Sequence, residues 1–123
     1  MKYSKKILEH FYQPLNVGDF TMSEIASAKI LTGESGAISS GDLVKLQLLV
    51  QDNIIKDARF KVYGGVVTIA CASWITEWLK NKTLDQAKQI TLDEIMESLE
   101  VPKLKSYAAS LVLTALNNIK ENG

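Results

Sequence analysis

The chain has 123 residues, which fits one compact domain over residues 1–123, and its 46% apolar and 23% charged content is an ordinary globular balance. Lys plus Arg and Asp plus Glu stand at 14 each, so the formal net charge is zero, which excludes the basic excess of a nucleic-acid binder. A lone cysteine, Cys71, excludes an internal disulfide framework, and no apolar run has the length of a secretory signal or a membrane span, which predicts a soluble cytoplasmic protein with no membrane association.

Ser4 is placed to cap a first helix running to about Tyr12, with Ile7, Leu8 and Phe11 on its apolar face. Pro14 stops it, and Asn16-Val17-Gly18-Asp19 reads as a turn. Residues 25–32 fit a strand, with Ala28, Ile30 and Thr32 alternating with Lys29 and Leu31. Gly33 through Asp42 is small and polar, so it reads as a loop. Val44, Leu46, Leu48 and Val50 then alternate with Lys45, Gln47 and Leu49, the period of a half-buried strand. After a tight turn at Gln51-Asp52-Asn53, a returning strand places Ile54, Ala58, Phe60 and Val62 on one face and Asp57, Arg59 and Lys61 on the other. This predicts an antiparallel hairpin with one wet face.

Gly64-Gly65 ends the hairpin. From Val66 to Lys80 the period becomes helical, with Val66, Ala70, Trp74 and Trp78 on one stripe and Ile69 and Ile75 beside it. A helix so apolar should pack deep against the sheet. Short helices follow over Leu84–Lys88 after Thr83 and over Asp93–Leu99 after Thr91. Pro102 opens a last helix, in which Leu104, Ala108, Leu111, Ala115 and Ile119 recur at helical spacing. Glu121-Asn122-Gly123 is expected to fray. Strands followed by helices alone predict an α+β domain: a three-stranded antiparallel sheet with helices packed on one side.

Four segments, in order, carry a resemblance that covers nearly the whole chain. Tyr3-Ser4 through His10-Phe11-Tyr12-Gln13-Pro14-Leu15-Asn16-Val17-Gly18 is similar to the opening of the IscU/NifU N-terminal scaffold family. Gly41-Asp42-Leu43-Val44-Lys45-Leu46-Gln47 resembles its G-D-x-x-K-L-Q, and Ile55 through Gly64 resembles its I-x-D-A-R-F-K-x-Y-G. Thr76-Glu77-Trp78-Leu79-Lys80 with Thr83-Leu84-Asp85-Gln86-Ala87 resembles its T-E-W-x-K-G-K-S-L-D-E-A. The resemblance implies a scaffold on which a 2Fe–2S cluster is assembled on three cysteines and accessory ligands. Sulfur then comes from a cysteine desulfurase, and the cluster is handed on with chaperone help. That chemistry needs thiolates, as the soft ligands of iron and as the sulfur acceptors.

At the positions the resemblance assigns to ligands, this chain departs from the family. Ser40 replaces the first cysteine, before Gly41-Asp42. Gly65 replaces the second, after Tyr63-Gly64. Tyr107 and Ala108 replace the histidine and the third cysteine near the start of the last helix. Of that set only Asp42 persists. One carboxylate beside a hard, protonated serine oxygen makes at best a weak, exchangeable metal site, so neither a 2Fe–2S cluster nor zinc is expected as a cofactor.

Cys71 lies mid-helix and suits a packing role. His10 has no histidine or cysteine partner for a metal, and Asp42 reads first as a turn carboxylate accepting backbone N–H groups. Val101-Pro102-Lys103-Leu104-Lys105 stands where the resemblance implies a chaperone-recognition loop, and it also suits a helix N-terminus. One histidine and one cysteine build no nucleophilic triad, so no enzyme is expected.

Three functions stay open. The first is an accessory or regulatory protein that binds a desulfurase, a chaperone or a ligand-bearing scaffold paralogue. The second is an unorthodox metal or cluster binder using Ser40, Asp42 and Tyr107, or ligands from a partner chain. The third is a repurposed protein- or small-ligand-binding module, with an apolar patch where Gly65 and Ala108 lie beside Val66 and Val67.

Overall fold

The structure, a computed structural model, describes residues 2–21 and 27–121. Helix α1 spans Lys5–Tyr12. Ser4 caps it as expected: its Oγ accepts the Ile7 N–H at 3.1 Å and donates to the Leu99 carbonyl. Ile7 is the residue the helix buries fully. Beyond Pro14 the chain does not simply turn. Asn16 O accepts the Phe60 N–H and Gly18 N donates to Phe60 O, each at 2.9 Å. Residues 16–18 therefore lie as a short parallel bridge along an outer sheet edge.

Strand β1 covers Lys29–Ala37, so the strand expected over residues 25–32 begins at Lys29, after Ser27 and Ala28, with residues 25 and 26 outside the described part. It also continues through most of the stretch read as a loop, pairing from Lys29 opposite Val50 to Ala37 opposite Asp42. The glycines that suggested a loop have another purpose. A Cβ on Gly33 would collide with the carbonyl oxygen of Ala115 and lie 2.7 Å from Ile119 Cγ1, so Gly33 admits a helix backbone onto the strand.

Strand β2 is Asp42–Gln51 and strand β3 is Ile54–Tyr63. Asp52 and Asn53 join them with φ of 55° and 62°, the left-handed pair that a two-residue hairpin turn requires. Val44, Leu46, Leu48 and Val50 all enter the core. The returning strand differs in one respect. Leu49 faces Asp57 while Val50 faces Ile55, so Lys56 bulges out and parity reverses. Ile55, not Ile54, then joins Ala58 and Phe60 inside.

The second sheet face is less wet than expected. Phe20, Ile30 and Leu49 form a small buried cluster there. Gln47 Oε1 accepts the Phe20 N–H at 2.9 Å, and the Arg59 guanidinium lies 4.3 Å over the Phe20 ring. Asp19 bridges Lys45 at 3.1 Å and Lys61 at 2.9 Å. These two ammonium groups hold its carboxyl below the usual range.

Helix α2, Val66–Leu79, packs against the sheet as expected. Of the stripe Val66, Ala70, Trp74 and Trp78, however, only Ala70 is fully buried and the other three lie on the flank. Both tryptophans are only partly buried, stacked at 6.3 Å, while Cys71, Ala72, Ile75 and Leu79 take the centre. Helices α3 (Leu84–Ala87) and α4 (Leu92–Leu99) each start on a capping box, Thr83 with Gln86 and Thr91 with Glu94.

Pro102 does not open the last helix. It precedes a single 3₁₀ turn, Lys103–Lys105, and helix α5 runs over Ser106–Asn117. Its inward face is Ala108, Ala109, Val112, Ala115 and Leu116. Leu104, expected on that face, is 81% exposed, because the turn rotates it out of helical register. Of the end expected to fray, Glu121 joins Lys120 in strand β4, opposite Leu31 and Thr32, and Asn122 and Gly123 lie outside the described residues. The sheet order is β3-β2-β1-β4, the three expected strands plus this two-residue edge. Both outer edges are blunted. Residues 16–18 and Thr83 cover β3, while β4 and the Asn118 amide, 2.9 Å from Glu34 O, cover β1.

Candidate functional site

The site is assembled at the sheet end where β1 turns into β2. Residues Ile38–Ser40 make a 3₁₀ turn, closed by Gly41 N donating to Ile38 O at 3.0 Å. Gly41 sits at φ +93°, a conformation glycine adopts without strain. Ser40 is exposed, and its hydroxyl donates to Ala37 O at 2.9 Å within the same turn.

Asp42 opens β2. Across the hairpin, β3 ends at Tyr63 opposite Leu43, and Gly64-Gly65 leads into α2. This juxtaposition brings Asp42 to the start of α2. Its Oδ1 accepts the Thr68 hydroxyl at 3.0 Å and the Gly65 N–H at 3.4 Å. Gly65, the N-cap of α2, has no side chain to cap the helix, and the carboxylate instead ties the Gly65 N–H to the Thr68 hydroxyl in the first turn, its negative charge lying at the helix N-terminus. Gly64 is required for this, since a Cβ there would collide with Asp42 Oδ1. Gly65 is different: a Cβ at that position meets nothing within 4 Å.

Helix α5 brings in the remaining positions. Ala115 lies against Gly33 and Leu111 against Gly36, so the helix retraces β1 backwards. Its first turn, with Tyr107 and Ala108, therefore reaches the Ile38–Ser40 end. Ala108 is 1% exposed and belongs to the core, whereas Tyr107 is 54% exposed with the Lys105 ammonium 5.8 Å from its ring centre. In the segment Val101–Lys105, Val101 is buried, Pro102 and Lys105 are half-buried, and Lys103 and Leu104 are exposed.

Asp42 and Gly65 are in contact, Ser40 lies in the turn just before Asp42, and the course of α5 along β1 carries Tyr107 and the buried Ala108 toward that end. They offer a hydroxyl, a carboxylate and a phenol, and no thiol or imidazole. Cys71 lies one and two-thirds turns past Gly65, fully buried. Burial pushes its thiol up to about 12, so the nucleophilic thiolate is nearly absent at neutral pH. His10 is elsewhere, its Nδ1 2.8 Å from Ser73 Oγ, which also accepts the Leu15 N–H at 2.8 Å. Burial lowers the His10 pKa against the opposing pull of Glu9 and Glu77. Among the described residues no group of three or more His, Cys, Asp or Glu side chains is placed to hold a metal ion.

The apolar groups exposed at this end are not those expected. Val67 and Ala108 are buried and Val66 is half-buried. Ile38, Tyr63, Leu104 and Tyr107 are the large apolar side chains in solvent here. Sequence reasoning also missed Thr68 as the partner of Asp42. The two are 26 residues apart, and their meeting depends on the hairpin register.

Among the described residues no helix is long and apolar enough to cross a membrane. Residues 2–120 match the model of the NifU-like N terminal domain. The chain is 42% identical over 117 residues to the iron–sulfur cluster assembly scaffold protein IscU of Escherichia coli K12, covering 94% of this chain and 89% of that protein. It is 41% identical over 117 residues to the Haemophilus influenzae protein of the same description, covering 94% and 90%. The N-terminal NifU-like structure from Brucella abortus superposes with a TM-score of 0.66 at 19% identity, over 94% of this chain and 87% of that one. A Fervidobacterium islandicum AW-1 structure, assigned as a cluster assembly scaffold for the SUF system, gives a TM-score of 0.69 at 18% identity, over 94% and 93%. A family match over nearly every residue, with relatives this similar along their length, means that the chain belongs to the NifU-like N-terminal domain family of iron–sulfur cluster assembly scaffolds.

Proposed function

We propose that this chain is an accessory or regulatory protein of an iron–sulfur cluster assembly system, which binds other components without holding a cluster on its own side chains. Ser40, Gly65 and Ala108 are the former cysteine positions in this reading, Tyr107 the former histidine position and Asp42 the one surviving ligand. The observation that carries it is the donor set at this end. Ser40, Asp42 and Tyr107 present oxygen alone, which does not fit the soft-sulfur coordination of iron–sulfur clusters. The sole thiol, Cys71, is buried and protonated. No step through a cluster is therefore derived for this chain.

The exposed Ile38, Tyr63, Leu104 and Tyr107 support a protein-binding surface over a small-ligand pocket at the same end. A cysteine desulfurase, a chaperone engaging Val101–Lys105 or a ligand-bearing scaffold paralogue are the partners of this reading. Self-sufficient metal binding is disfavoured, because Asp42 is already engaged by Thr68 and Gly65.

The test is anaerobic purification, followed by iron and acid-labile sulfide analysis before and after reconstitution with ferrous iron and sulfide, alongside a pull-down from the native cell. Metal-free, colourless protein that retains a desulfurase or scaffold partner is expected. Near-stoichiometric iron and sulfide would overturn the reading, and so would a pull-down that retains no assembly component.

A further inference from the structure

We draw no further inference here: the strongest candidate, the exposed apolar cluster of Ile38, Tyr63, Leu104 and Tyr107 at the sheet end where β1 turns into β2 and α5 begins, belongs to the site already described and nothing in the structure shows what covers it.

Discussion

Removing the Asp42 carboxylate separates a brace from a ligand. Asp42 Oδ1 takes the Thr68 hydroxyl at 3.0 Å, and Thr68 is 2% exposed, so Asp42→Ala leaves a buried hydroxyl without this acceptor. A hydrogen bond to a charged acceptor contributes about 1.5–3 kcal/mol net. The longer Gly65 contact and the start of α2 add a few tenths more. Asp42→Ala should therefore cost about 2 kcal/mol, or roughly 1 M in urea midpoint for a protein of this size. Asp42→Asn keeps an oxygen acceptor and should lose about half as much. Thr68→Val removes the donor but fills the same space, so it should cost under about 1 kcal/mol, since half-exposed Asp42 is then rehydrated. The double mutant should be less destabilised than the sum of the singles by about 1 kcal/mol. Equilibrium urea unfolding of the metal-free protein reads all four. If Asp42→Ala unfolds at the wild-type midpoint, the carboxylate is not tied to α2. It would then be free to serve as a ligand, and the assignment of Asp42 as a brace fails.

Three further outcomes are expected. Cys71, with its pKa raised to about 12 by burial, should resist thiol-specific alkylation at pH 8 in the native protein and react fully in denaturant, which mass spectrometry reads directly. Fast native labelling would mean the core around α2 opens. Placing thiols at the proposed ligand positions with Ser40→Cys, Gly65→Cys and Ala108→Cys should yield a coloured protein on anaerobic reconstitution, because positions 40 and 65 are exposed and the course of α5 along β1 leads position 108 toward the same end. Should the folded triple variant, judged by circular dichroism, stay colourless, the three positions do not share one site. Burial lowers the His10 pKa, so below pH 6.5 the unfolded chain takes up the proton first and stability should fall as pH drops from 6.5 towards the lowered folded value. The Asp19 and Glu77 carboxylates are lowered from values already below pH 5, so they do not titrate between pH 7.5 and 5.5. Urea midpoints at pH 7.5 and 5.5 should differ less in His10→Gln than in the wild type, and equal differences would refute the assignment to His10.

Local physics made much of the fold legible in the chain. Period-two alternation from Val44 to Val50 located the central strand. The capping residues Ser4, Thr83 and Thr91 marked three helix starts, because each supplies the acceptor that a helix N-terminus lacks. That no cysteine stands at positions 40, 65 and 108 is a covalent fact that needs no coordinates, while their part as ligand positions comes from the family resemblance. Non-local contacts decided the rest. Gly33 and Gly36 look like loop glycines until α5 is seen lying on β1. The bulge at Lys56 exchanges Ile54 for Ile55 through its pairing with the facing strand. Asp42 meets Thr68 because hairpin register and the Gly64 gap place them together, and Leu104 leaves the core because a 3₁₀ turn intervenes before α5. A residue's neighbours along the chain set its local conformation. Which distant backbone comes close enough to bond or exclude a side chain is a property of the packed whole, and there the role of Asp42 was decided.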